Sequence, residues 1–285
     1  MAENEQKKND WSATQYLKFN TQRTRPVYDL VSQILPHIPL SSSTSIFDLG
    51  CGPGNSTKVL LDAFPTAKIT GIDSSPDMLS KARSTLPSLA FRLGDVESWT
   101  LPSRAVDILF SNAVFHWLRS PSRIRVIAKL LGSLASGGVL AFQVPDNYHQ
   151  PSHALMRSTA TSPSQPWSPY FQNTNTRVGD IQDKKRPDLD PIEAPTEYYD
   201  ALAPLSSSVN IWRTEYQHVL PDAGGIVEWV KGTGLQPYLH QITDEEAKED
   251  FLAEYERRLS EVYKPLGDGR VMLGYPRLFV VAVRK

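Results

Sequence analysis

Asp48-Leu49-Gly50-Cys51-Gly52-Pro53-Gly54-Asn55-Ser56 is the stretch that decides the fold. Ile46-Phe47-Asp48-Leu49 reads as a short buried strand, glycines follow at alternate positions, and Ser56 to Phe64 carries helical spacing. Glycine is required where the backbone takes positive φ or comes close to a ligand. A helix starting straight after such a loop offers unpaired N–H groups.

Outward from this loop the pattern alternates. Lys68–Asp73, Leu89–Arg92, Val106–Ser111 and Val139–Val144 read as strands, with helices at Met78–Thr85 and Ile124–Leu134 between them. That alternation predicts an α/β fold, a doubly wound and mostly parallel sheet. Upstream, Trp11 to Ile38 has helical spacing, with Tyr16, Leu17, Val27, Leu30, Val31, Ile34 and Leu35 as its apolar positions, and Pro26 suits the first turn of a second helix. Residues 41–45 read as a linker. Residues 151–204 hold eight of the 22 prolines, which predicts a short helix at 152–159 and then a long mobile loop to about 195. Val209–Tyr216 and Leu278–Val283 supply a sixth and a seventh strand. Helices are expected at 226–231 and 243–263, the second opened by a Thr243-x-x-Glu246 capping box, with Asp244, Glu245 and Glu246 as helix-start charges. The division expected is a helical N-terminal lid over 1–40, a ligand-binding core over 41–150, a helix and long-loop insertion over 151–208, and the last two strands with a helical cap over 209–285, all in one structural domain.

The acids define the ligand. Asp48 puts negative charge beside the glycines, which disfavours a pyrophosphate and favours a cationic centre. Asp73 ends the second strand, where a carboxylate accepts from two ribose hydroxyls. Gly94-Asp95-Val96 follows the third strand, and Asp95 is placed to accept from the exocyclic amine of adenine. A nucleoside with a cationic centre and no pyrophosphate fits S-adenosylmethionine. Gly50, Gly52, Gly54, Asn55, Ser74, Met78 and Asn112 complete the expected cofactor set, with Trp11 from the lid.

The Asp48–Gly54 stretch resembles motif I of the class I S-adenosylmethionine-dependent methyltransferases, and Asp73 and Gly94-Asp95 match their later acidic motifs. The resemblance implies a seven-stranded, Rossmann-like sheet with its last strand antiparallel. A closer likeness spans most of the chain. Asp10-Trp11, Tyr16-Leu17-x-Phe19-x-x-x-Arg23-x-Arg25-Pro26, Ile69–Pro76, Asn112-Ala113-x-x-x-Trp117-Leu118, Val144–Asn147, Pro151-x-His153-x-Leu155-Met156-Arg157, Ile211-Trp212-Arg213-Thr214-x-Tyr216 and Tyr275–Phe279 are similar to the trans-aconitate methyltransferases. The resemblance implies esterification of a carboxylate of trans-aconitate or a close tricarboxylate. The stretch at about 162–197 looks longer than in bacterial relatives.

A carboxylate acceptor is already ionised at neutral pH, so no general base is obligatory. Orientation of the acceptor oxygen is the main task. Arginine suits the other carboxylates, because its fork makes two parallel bonds to one of them. Arg25, Arg213 and Arg277 are the candidates, and Arg25 has a second reading as a partner of the cofactor's methionine carboxylate. His116, at the carboxyl edge of the fourth strand, is expected to orient the acceptor rather than act as a base. Tyr16 and Tyr148 are expected at the acceptor, and His149 and His153 are placed to line it. Trp117 reads as packing, and Phe19 with Trp11 and Tyr16 as lid or helix-face residues.

Composition narrows the classes. Thirty basic against 31 acidic residues leave a net charge of −1, so nothing favours a nucleic acid partner. The single cysteine, Cys51, excludes a disulfide framework and a cysteine zinc site, and the histidines lack metal spacing. No apolar run is long enough for a membrane span, so a cytoplasmic monomer acting on a small molecule, without metal, is expected. The alternatives are a methyltransferase of another small molecule, a dinucleotide oxidoreductase, and a nucleotide-binding protein without catalysis.

Overall fold

The computed structural model describes residues 19–38, 44–102, 106–172 and 177–285. Seven strands form one sheet: β1 (Ser45–Leu49), β2 (Lys68–Asp73), β3 (Ala90–Leu93), β4 (Ile108–Asn112), β5 (Val139–Pro145), β6 (Ser206–Leu220) and β7 (Val271–Arg284). Their order is β3-β2-β1-β4-β5-β7-β6. Strands β3, β2, β1, β4 and β5 pair in parallel. Strand β7 runs against β5, because Arg284 bonds with Gly137 and Gly138 at one end while Asp146 donates to Pro276 at the other. The order turns back between β1 and β4, and ligands bind outside the carboxyl ends of strands at such a switch point. Asp48, Asp73 and Asn112 all lie at those ends.

The chain separates into two compact units, the first holding the residues up to Pro145 with Glu193–Thr214 and Leu278–Lys285, the second Asp146–Ile192 with Glu215–Arg277. In the first, helices α1 (Asn20–Ser32), α2 (Asn55–Ala63), α3 (Pro76–Thr85) and α4 (Ser122–Ser133) accompany the sheet. Cys51, Leu79, Ala82, Leu86 and Phe91 pack together beneath the glycine loop. Gly71 is needed in that core, since a Cβ there would lie 2.6 Å from the Phe91 ring and 2.8 Å from Cys51 Sγ.

The second unit carries the end of β6, the start of β7 and the helices α5 (Pro151–Ala160), α6 (Pro169–Gln172) and, after α7 (Pro195–Leu202) in the first unit, α8 (Ala223–Lys231), α9 (Gln236–Gln241) and α10 (Glu245–Val262). The Tyr255 hydroxyl of α10 donates to the Ser152 carbonyl at 2.9 Å, and Ser152 N–H donates to the Tyr263 hydroxyl at 3.1 Å. Two tyrosines therefore hold the first turn of α5.

Four expectations need correction. Pro26 lies inside α1, which runs through it rather than restarting there. Only one backbone hydrogen bond is lost to its missing N–H, and the buried Val27, Leu30 and Val31 offset that. Leu35 is exposed, standing in a short 3₁₀ turn beyond α1 where the 3.6-residue period no longer applies. The cap of α10 is Asp244, whose carboxylate accepts from Ala247 N–H at 2.8 Å, so the helix starts one residue after the expected box. The described residues after α5 are not a loose loop: Trp167 and Phe171 are buried against Phe251, and Trp167 Nε1 donates to the Thr159 carbonyl at 2.8 Å. Arg186 is buried with Asp188 and Asp190, so polar residues here staple a fold. Trp11, Tyr16, Leu17 and the linker over 41–43 lie outside the described residues.

Candidate active site

The end of β1 is pinned from both sides. Gly50 and Cys51 donate their N–H groups to the Ile72 carbonyl at 2.7 and 3.0 Å, and Ser111 Oγ donates to the Leu49 carbonyl at 3.0 Å. The chain then turns through three glycines at positive φ, +72° at Gly50, +54° at Gly52 and +95° at Gly54. They differ in surroundings. A Cβ on Gly50 would sit 2.1 Å from a Val114 methyl, whereas one on Gly52 would meet no atom within 4 Å. Gly50 therefore serves close packing, and Gly52 faces open space.

Gly54 starts α2, and no side chain caps that helix. Its first N–H groups and the positive end of its dipole stay available to an acid. Asn55 reaches the other way, donating to Asn20 Oδ1 at 2.6 Å and tying α2 to the start of α1.

Asp48 is fully buried, and its Oδ2 accepts from the Ser56 and Thr57 hydroxyls, each at 2.7 Å. Its Oδ1 is buried without a hydrogen-bond partner among the described residues. Burial pushes the carboxyl up from its ordinary 3.8 to about 6, against the two hydroxyl bonds that lower it, with a smaller upward push from Asp73. An orphaned carboxylate oxygen in this setting is a site for a donor or a cation.

Asp73 braces the loop. One oxygen accepts from Gly52 N–H at 2.8 Å and the other from Ser75 N–H at 2.9 Å. Ser75 caps α3 by accepting from Met78 N–H at 3.2 Å; Met78 is buried and Ser74 exposed. Gly94 N–H donates to the Asp73 carbonyl at 2.9 Å, which sets Asp95 beside the end of β2. Asp95 is exposed, half-buried Val96 follows it, and its Oδ1 accepts from Glu97 N–H at 2.9 Å.

At the end of β4, buried Asn112 accepts from the Gln143 side chain of β5. Ala113 then takes φ +56°, which sequence reasoning missed because alanine gives no sign of it. Such strain collects at functional sites. It seats Val114 on Gly50 and leads into the 3₁₀ turn Phe115–Trp117 that carries His116.

Arg123 holds this turn and was also missed. Fully buried, it donates from Nε to the Phe115 carbonyl at 3.0 Å and from Nη2 to the Leu118 carbonyl at 2.9 Å. Its Nη1 meets Glu193 Oε2 at 2.6 Å, an oxygen that also accepts from the Tyr198 hydroxyl at 2.8 Å. His116 is buried, with Trp117 against it at 4.9 Å between rings.

The remaining candidates divide. Arg25 is exposed on α1, while its neighbour Arg23 is buried. Arg213 is exposed on the edge strand β6. In the second unit, Arg277 is buried with its guanidinium 5.2 Å from the Tyr275 ring centroid. Half-buried Tyr148 stacks beneath Arg157. His149 is exposed, packing edge-on to Tyr148. His153 has its Nδ1 3.1 Å from Ser152 Oγ, and burial holds its imidazole down to about 3, so it is neutral. Among the described residues no cluster of His, Cys, Asp and Glu is arranged to hold a metal, and no helix is long and apolar enough to cross a membrane.

The profile of a methyltransferase domain family matches residues 46–138, the span that carries the glycine loop and both acids. With the sheet order and this loop, it defines a class I methyltransferase, an enzyme that uses S-adenosylmethionine. The YcgJ protein of Bacillus subtilis superposes with a TM-score of 0.52 over 90% of this chain and 99% of its own, at 12% identity, a likeness of fold alone. Two curated relatives go further. The trans-aconitate 2-methyltransferase of Agrobacterium fabrum is 47% identical over 96% of this chain and 99% of its own length. That of Afipia carboxidovorans is 46% identical over the same shares. The chain belongs to the trans-aconitate 2-methyltransferase family.

Proposed function

We propose that this enzyme esterifies a carboxylate of trans-aconitate or a closely related tricarboxylate. The observation that carries the reading is the 47% identity to a trans-aconitate 2-methyltransferase over nearly the whole of both chains. The loop fits the cofactor. The orphaned Asp48 Oδ1 suits its cationic end, the uncapped start of α2 suits its carboxylate, the space over Gly52 admits a close approach, and Asp73 stands at the end of β2, where a carboxylate accepts ribose hydroxyls. When bound, S-adenosylmethionine supplies an electrophilic methyl group on a positively charged sulfur and leaves as S-adenosylhomocysteine.

The chain's own residues then have a short task. A tricarboxylate is ionised at neutral pH, so no residue has to remove a proton. The protein must hold one carboxylate oxygen in line and strip it of water, and orientation alone supplies roughly 7–11 kcal/mol of a two-reactant barrier. His116 orients the acceptor from the end of β4, in a turn fixed by Arg123. Buried Arg277 suits a carboxylate better than exposed Arg213, because solvent screens the latter.

The test uses purified protein and methyl-labelled cofactor with trans-aconitate, cis-aconitate, citrate, isocitrate and itaconate, following labelled ester and S-adenosylhomocysteine. Turnover concentrated on trans-aconitate is expected. Arg277→Ala is expected to raise the acceptor KM more than the cofactor KM. Cofactor binding without turnover on any of the five acids would discard the acceptor.

A further inference from the structure

Arg157 is a cation with an unusual setting. It projects from α5, half-buried, with its guanidinium carbon 3.8 Å from the centroid of the Tyr148 ring. Its Nη2 donates to the Tyr148 carbonyl at 2.8 Å. The ring fixes the plane of the fork and the carbonyl fixes its rotation. No carboxylate pairs with it among the described residues. Asp188 influences the same buried tyrosine, Tyr238, as Arg157 does. Asp188 is already engaged by Arg186 Nε and by Gly179 N–H, both at 3.0 Å. His153, one helical turn earlier, stays neutral. The helix beneath Arg157 is held by Tyr255 and Tyr263 at its first turn.

A partly desolvated guanidinium without a counter-charge is costly to the empty protein. The same group, stacked and aimed, is what a planar carboxylate needs for two parallel hydrogen bonds. Tyr148 and Arg157 both belong to the second unit, where the first turn of α5 is fixed by the two tyrosines.

We propose that Arg157, oriented by Tyr148, is a carboxylate anchor that takes one of the non-reacting carboxylates of a polycarboxylate acceptor. The link to the acceptor rests on the function proposed above, since a tricarboxylate has two carboxylates that are not esterified.

The test is calorimetric titration of the full-length protein, loaded with S-adenosylhomocysteine, with tricarballylate, a saturated tricarboxylate. Labelled methyl transfer to trans-aconitate is measured alongside. Arg157→Gln is expected to weaken tricarballylate binding at least tenfold and leave S-adenosylhomocysteine affinity within twofold. Arg157→Lys, which keeps the charge and loses the fork, should recover part of the loss, and it carries the test if Arg157→Gln does not fold, with at least a threefold weakening. Unchanged tricarballylate affinity, or an equal loss for both ligands, overturns the anchor, as does wild-type protein that binds no tricarboxylate. Wild-type binding that Arg157→Gln abolishes, without methyl transfer to trans-aconitate, sustains the anchor and removes the substrate reading. Methyl transfer that Arg157→Gln leaves untouched does the reverse.

Discussion

Asp48 carries a prediction with both signs worked out. Its carboxyl titrates near pH 6 in the folded protein and near 3.8 ordinarily. The folded state therefore keeps a proton that the unfolded chain gives up. Stability contributed by this group falls as pH rises from 3.8 to 6, by about 3 kcal/mol in all. Cofactor affinity moves the other way. If the ionised carboxylate receives the cation, affinity scales with the ionised fraction, so the dissociation constant at pH 5 is about tenfold weaker than at pH 7. An α-amino group stays protonated across that range, so the ligand contributes little slope of its own.

Calorimetric titration with S-adenosylhomocysteine at half-unit steps from pH 5 to 7 measures the profile. Asp48→Asn retains an oxygen for the Ser56 and Thr57 hydroxyls but has no charge to gain. It should flatten the profile and weaken binding at pH 7 by about 1.5–3 kcal/mol, the worth of a hydrogen bond to a charged group. In urea unfolding, the variant should also lose the fall in stability between pH 4 and 6. A wild-type profile that is flat, or one that Asp48→Asn leaves equally steep, refutes the assignment of the cationic end to Asp48.

Two further predictions concern the supports of the site. Gly50→Ala forces alanine to φ +72° and drives its Cβ into Val114, at a cost of about 3 kcal/mol in urea unfolding. Gly52→Ala meets only the backbone penalty of about 1–2 kcal/mol, yet should weaken S-adenosylhomocysteine binding, because its methyl enters open space over the loop. Equal stability losses with unchanged affinity would contradict this division. Arg123→Ala should cost about 3–5 kcal/mol by stranding Glu193 and the carbonyls of the His116 turn, and the pair Arg123→Met with Glu193→Leu should cost less than Arg123→Ala alone. Additive losses in a double-mutant cycle would show that the pair is not coupled.

What the sequence disclosed of this site follows from how far each feature depends on distant chain. The glycine loop was legible because only glycine takes three positive φ angles in five residues at low cost, and Asp73 and Gly94 because each ends a strand of recognisable pattern. Strands β6 and β7 were read short for the opposite reason. Ser206-Ser207-Ser208 and the Gly274 and Pro276 positions lack strand propensity, and they pair because neighbouring strands offer partners.

The supports were hidden more deeply. Arg123 looks like any basic residue in the first turn of a helix, and its meaning comes from Glu193, 70 residues later. Arg186 with Asp188 and Asp190 reads as a solvated charge run, although burial makes it a staple. Ala113 adopts a glycine-like angle with no glycine to announce it. A group that touches a ligand needs a particular backbone shape and so leaves a local mark in the sequence. A group that holds another in place needs only a partner, which can come from anywhere in the chain. Arg157 falls between the two: its place in a family-like segment of α5 is legible in the sequence, but its task becomes readable only once the structure stacks Tyr148 beneath it and leaves no carboxylate beside it among the described residues.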